Sequence, residues 1–173
     1  MLRALRFDGS VYGEVERDPD ATRQAAGVVA LVAASAALGT VLLDAWHPGA
    51  IAGAVVAALL HWLLWSGLES LIGRVLFQRH TSLEQHVRAL GFAQAPQLLA
   101  VFAFVPLVGS WVVPGARLLT MLAGNQALAA TLELHRRQAL AIRLVSFGIA
   151  VVAAAGVRAA LGDVPFLTAL LRP

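Results

Sequence analysis

His61 carries the most chemical potential in this chain. It lies within the 24 uncharged residues between Asp44 and Glu69, beside Trp62 and Trp65. An imidazole changes charge near neutral pH and ligates metals, so one at mid-membrane depth is a candidate proton relay or haem ligand. The plainer reading is a neutral ring hydrogen-bonded to a neighbouring helix, which the lack of a second histidine at matching depth favours. Glu69, with Arg74 five residues on, is either a coupling-ion site or a carboxylate that snorkels or pairs with a basic loop residue. Gln94, Gln97, Asn125 and Gln126 could line a solute path, but amides at such depth more often bond helix to helix.

Enzymatic signatures are missing. The chain has no HExxH, no G-x-S-x-G, no phosphate-binding glycine loop and no paired intramembrane aspartates. Ser66 and Ser146 have no identifiable base. Cysteine is absent, which excludes disulfides, thiolate metal sites, thiol catalysis and the usual c-type haem attachment. His47 is expected on the opposite side of a membrane from His80, His86 and His135, so they cannot share a metal with it. No catalytic residue, cofactor or metal site is therefore expected.

The elements that position these residues follow from composition. Of 173 residues, 59% are hydrophobic and only 13% are charged, with a mean hydropathy of +0.76. A soluble domain carries about 25% charge, so lipid is the expected solvent. A helix needs roughly 20 apolar residues to cross about 30 Å of hydrocarbon. Charge-free runs of 20, 24 and 28 residues precede Asp44, Glu69 and Arg117, and shorter runs of 15 and 14 end at Glu133 and Arg158. Arginine can lift its head to the interface, so Arg117, Arg143 and Arg158 do not disqualify the later segments. The predicted fold is all-α and polytopic, with five transmembrane helices at about 24–43, 49–72, 89–105, 111–132 and 140–161. A re-entrant pair over 89–105 and 111–132 is the alternative. Residues 1–23 read as a cytoplasmic tail and 24–173 as the transmembrane domain.

All 13 basic residues are arginine, a bias that fits a GC-rich genome. Ten of them fall in the tail and the second and fourth loops, against three on the other side. This places the N-terminus in the cytoplasm and the C-terminus in the periplasm or outside. The pI near 11 follows from arginine and does not indicate nucleic-acid binding, which needs a clustered basic face. A signal peptide ending near Ala34-Ser35-Ala36 is disfavoured by the five acids of the preceding tail.

In that tail Leu2, Leu5, Phe7, Val11, Tyr12 and Val15 alternate with charges at helical spacing, predicting short amphipathic helices on the inner surface. Asp18-Pro19 predicts an N-cap followed by proline at the first helical position. Thr81 with Glu84 offers a capping box, and Ser82 with Gln85 an alternative. Pro96 interrupts the third span, Pro106 and Pro114 bracket a turn with Gly109 and Ser110, and Trp46 and Trp111 fall near the outer interface. Small residues at four-residue spacing predict close helix packing: Ala26, Ala30 and Ala34, then Ser35 with Gly39, Gly49 with Gly53, and Gly156 with Ala160.

Three segments together resemble short prokaryotic members of the Yip-one domain family. They are Tyr12 to Pro19, then Leu71 to Arg74 continuing through Thr81–Arg88, Gly91–Leu99 and Val105–Gly109, and Arg136 to Leu140. The resemblance implies a five-helix membrane protein with a cytoplasmic N-terminus and supplies no catalytic residues. Eukaryotic relatives bind Rab-type GTPases through longer N-terminal regions, and the roughly 23 residues here do not carry that over.

The expected function is therefore non-enzymatic: a bacterial inner-membrane protein acting through helix and membrane-surface contacts, in membrane organisation or as an accessory subunit. Its expected partners are the lipid bilayer and other membrane proteins or a second copy, with no nucleic acid. The alternative is a small-solute or proton transporter or channel using the intramembrane polar residues.

Overall fold

The structure is a computed structural model describing residues 14–15, 18–42, 48–78, 82–132 and 136–162. These form five α-helices and one 3₁₀ segment: α1 Ala21–Leu42, α2 Pro48–Phe77, α3 Leu83–Ala93, the 3₁₀ segment Ala95–Phe104, α4 Gly109–Leu132 and α5 Arg136–Gly162. Most of the amphipathic tail lies outside the described residues, as do Trp46, His47, His80 and His135. Val15 packs against the edge of the main core.

Local chemistry sets the helix ends. Asp18 Oδ1 accepts from the Asp20 amide at 2.9 Å and the Asp18 carbonyl accepts from Ala21 N at 3.1 Å, so Asp18 caps the entry as predicted, while Pro19 lies in a turn and the α-helix itself opens at Ala21. Ser82 and Gln85 form the reciprocal box: Gln85 N donates to Ser82 Oγ at 3.2 Å and Ser82 N to Gln85 Oε1 at 2.7 Å. The Thr81 version lies outside the described residues. Gln78 closes α2 with a φ of 51°, the left-handed conformation common just past a helix end.

Three helices are long and apolar enough to cross a membrane: α1, α2 and most of α5. They correspond to the predicted spans 24–43, 49–72 and 140–161, with α2 extended to Phe77. Of the five predicted spans, three stand as continuous apolar helices among the described residues. The predicted third span, 89–105, is broken into α3 and the 3₁₀ segment, which meet at 41° and together make at most a fourth crossing. Pro96 lacks an amide at the break, and Gln97 N bonds Gln94 O at 2.8 Å in the tighter three-residue pattern. Helix α4 covers the predicted 111–132 with 24 residues, but glycines, Pro114, Arg117, Asn125 and Gln126 dilute its apolar character. Pro114 and Trp111 lie inside α4, and the turn before it is Val105–Val108.

The bundle is organised around α2 and α5, which run antiparallel. Gly53 faces Arg158 and Leu161 at one end, and Glu69 faces Arg143 and Ser146 toward the other. The main core gathers Trp62, Trp65, Val28, Val29, Leu90 and Phe92 with alanines from α1, α3, α4 and α5. A second cluster joins Leu128, Ala139 and Ile142 to Ile72 and Phe77. Leucines and valines remain widely exposed, among them Leu31, Leu63, Leu71, Val75, Leu76, Leu118 and Val152. A polar interior inside an apolar exterior inverts the soluble arrangement and suits a lipid solvent.

Candidate functional site

Two polar networks, linked by one tryptophan, occupy the interior. The first is built on Glu69, fully buried on α2. Its Oε1 accepts from Trp65 Nε1 at 2.6 Å, one helical turn back, and from Ser146 Oγ on α5 at 3.1 Å. Arg143 completes it, with Nε 3.0 Å from the same oxygen and neither side chain exposed. The guanidinium also donates from Nη2 to the Gly124 carbonyl of α4 and lies over the Trp65 ring, 4.7 Å from its centroid. Glu69 Oε2 is buried without a hydrogen-bond partner among the described residues.

The second network is built on His61, two turns from Glu69. Gln94 Nε2 lies 3.4 Å from His61 Nδ1, and Gln97 Nε2 donates to Gln94 Oε1 at 3.3 Å. The broken helix thus delivers one amide to the ring and a second amide behind it. His61 stacks on Trp65 with centroids 5.5 Å apart, and Phe147 of α5 meets both rings edge-on at 5.1 and 5.0 Å. Among the described residues its Nε2 has no hydrogen-bond partner. His61 also lines a cleft of about 80 Å³, together with Gln94, Gln97, Arg117 and Arg158 among alanines and valines.

Four of the six predicted polar residues therefore enter these networks: His61, Gln94, Gln97 and Glu69. Asn125 and Gln126 are half-buried on α4, the former with a buried, unpartnered Oδ1 beside the carbonyl that Arg143 uses. Glu69 pairs with Arg143, not with the exposed Arg74 of its own last turn, because α5 places Arg143 alongside it. Among the described residues no group of three metal-ligating side chains converges.

The small residues sort less simply than their spacing suggests. Ser35 is buried and donates to Leu98 O at 2.8 Å, and a Cβ on Gly39 would stand 2.9 Å from Ala100 O, so this pair seats α1 on the 3₁₀ segment. Gly53 seats α2 on α5, where a Cβ would meet Leu161 at 3.2 Å and Arg158 O at 3.3 Å. Gly49 is half-buried one turn earlier. Gly156 is exposed with open space around it, and Ala26, Ala30, Ala34 and Ala160 also face outward. Two closer approaches lie outside any four-residue pattern: Gly91, whose added Cβ would be 2.6 Å from Ala25 Cβ, and Gly124, where it would strike Arg143 and the Trp65 ring. Their neighbours are distant in sequence, so spacing carries no sign of them.

No curated protein and no solved structure matches this chain. The family model described as Yip1 domain matches residues 5–162, which takes in every described helix and both networks. The all-helical bundle, its apolar exterior and this match lead to one conclusion: the chain is a membrane protein that belongs to the Yip1 domain family.

Proposed function

We propose that this protein is non-enzymatic and works through contacts of its surface with lipid and with other membrane proteins, in membrane organisation or as an accessory subunit. One observation carries the reading: the fully buried carboxylate of α2 is matched internally. Glu69 and Arg143 neutralise each other at 0% exposure, while the outward surface is apolar. In this reading the chain lies in a bacterial inner membrane with the N-terminus cytoplasmic, as ten of thirteen arginines favour. Small-residue faces open to a neighbouring helix are Ala26, Ala30 and Ala34 on α1 and Gly156 with Ala160 on α5, since Gly39 and Gly53 are used inside the bundle.

Affinity capture from native membranes followed by mass spectrometry tests this. Partner membrane proteins are expected with the wild type and reduced with Ala30→Leu, at unchanged yield of the protein itself. Recovery of a free monomer without partners overturns the reading.

The second reading, transport, is favoured by the chain Gln97–Gln94–His61 along the cleft. Solute or proton flux in liposomes, abolished by His61→Ala with Glu69→Ala, would support it over the first. Flux unchanged in that double variant would remove these residues as the route.

A further inference from the structure

We infer that the cleft beside His61 is a binding site for the phosphate group of an anionic phospholipid. The inference stands on the cleft itself and does not require the contact role proposed above.

Charge comes first. Arg117 of α4 and Arg158 of α5 both line this cleft, and no Asp or Glu does. Among the described residues neither has a carboxylate partner; Arg158 Nη2 instead donates to Thr40 Oγ1 at 3.0 Å, while Thr40 itself bonds Ala36 O. The two arginines thus border one cleft from two different helices. Two like charges held together in an apolar protein are a structure awaiting an anion, and planar guanidinium forks match phosphate oxygens. His61, which also lines the cleft, is 6% exposed, and its Nε2 has no hydrogen-bond partner among the described residues.

Size and depth then select the anion. A cleft of about 80 Å³ holds roughly six water-sized groups, enough for a phosphate and its ester link but not for a lipid's chains. The opening lets those chains leave along an exterior that is already apolar, and the walls between the polar residues are alanine and valine. Arg158 lies fifteen residues from Arg143 along α5, about 22 Å at 1.5 Å per residue. The span read from the sequence at 140–161 puts Arg143 three residues from one end and Arg158 three residues from the other, so that Arg158 falls toward headgroup depth.

The test uses the purified full chain in neutral detergent, with binding of dihexanoyl phosphatidylglycerol, dihexanoyl phosphatidylcholine and inorganic phosphate each measured by calorimetry. The phosphatidylglycerol is expected to bind at least about tenfold more tightly than the other two. Arg117→Gln is expected to weaken it about tenfold, as loss of one charge-assisted contact does. Arg117 is exposed and makes no hydrogen bond among the described residues, so that variant keeps the bundle, and an unchanged melting temperature verifies it. Arg158→Gln is the second variant, expected to act in the same direction. Phosphate binding as tight as the lipid would overturn the lipid assignment in favour of a free anion. Equal binding of all three probes, no binding, or wild-type affinity in both variants would overturn the site.

Discussion

Glu69 and Arg143 meet across the antiparallel pair α2 and α5, with Nε 3.0 Å from Oε1 and both side chains wholly buried. Removing one member of such a pair leaves the other charge without compensation, at a cost of about 3–5 kcal/mol, whereas exchanging both for apolar residues of similar volume is often neutral. Arg143→Met alone and Glu69→Leu alone are each expected to lower the melting temperature in detergent strongly. The double variant is expected to recover most of the loss. Additive losses would mean that the two residues do not act as a pair.

Gly124 and Gly91 should tolerate no methyl group. A Cβ at Gly124 would stand 2.6 Å from the Trp65 ring, and one at Gly91 2.6 Å from Ala25. Overpacking of this kind costs about 1–3 kcal/mol. Gly27→Ala and Gly67→Ala, where nothing lies within 4 Å, are expected to be neutral or to stabilise by up to about 1 kcal/mol. Thermal unfolding of the four alanine variants checks the order.

Loss of the Ser82 hydroxyl should loosen α3. Ser82→Ala removes the acceptor for the Gln85 amide and costs about 1 kcal/mol. Amide hydrogen exchange is expected to speed up over the first turn of α3 and to stay unchanged in α1. Uniform acceleration through the bundle would show instead that the cap supports the whole fold.

The chain contains no cysteine, so single introduced thiols report sidedness directly. With the arrangement proposed from the arginines, Glu84→Cys and Arg137→Cys label from the cytoplasm and Ser110→Cys from the opposite side. Labelling of Ser110→Cys from the cytoplasm would instead make the broken helix and α4 a re-entrant pair.

What could be read from the sequence was local. The Asp18 cap and the Ser82–Gln85 box each need residues three apart or fewer, and both formed. Pro96 marked the interruption of the third span, but the size of the bend depends on what packs against the freed carbonyls, such as Ser35 on Leu98. Arg143 was read as an interfacial residue because charge-free runs end at any charge, buried or not. Its partner is on another helix, and only the register of α2 against α5 brings them together. The same holds for His61: its depth was visible, but Gln94 reaches it only because α3 packs against α2 up to the break.

That pairing also imposes an order on biosynthesis. Roughly 74 residues separate Glu69 from Arg143, and synthesis at about 5–20 residues per second takes roughly 4–15 s to cover them. Throughout that interval Glu69 lacks its counter-ion, so α2 enters lipid with the carboxyl protonated or held by Trp65 alone. The ion pair that joins α2 to α5 forms only once α5 has emerged.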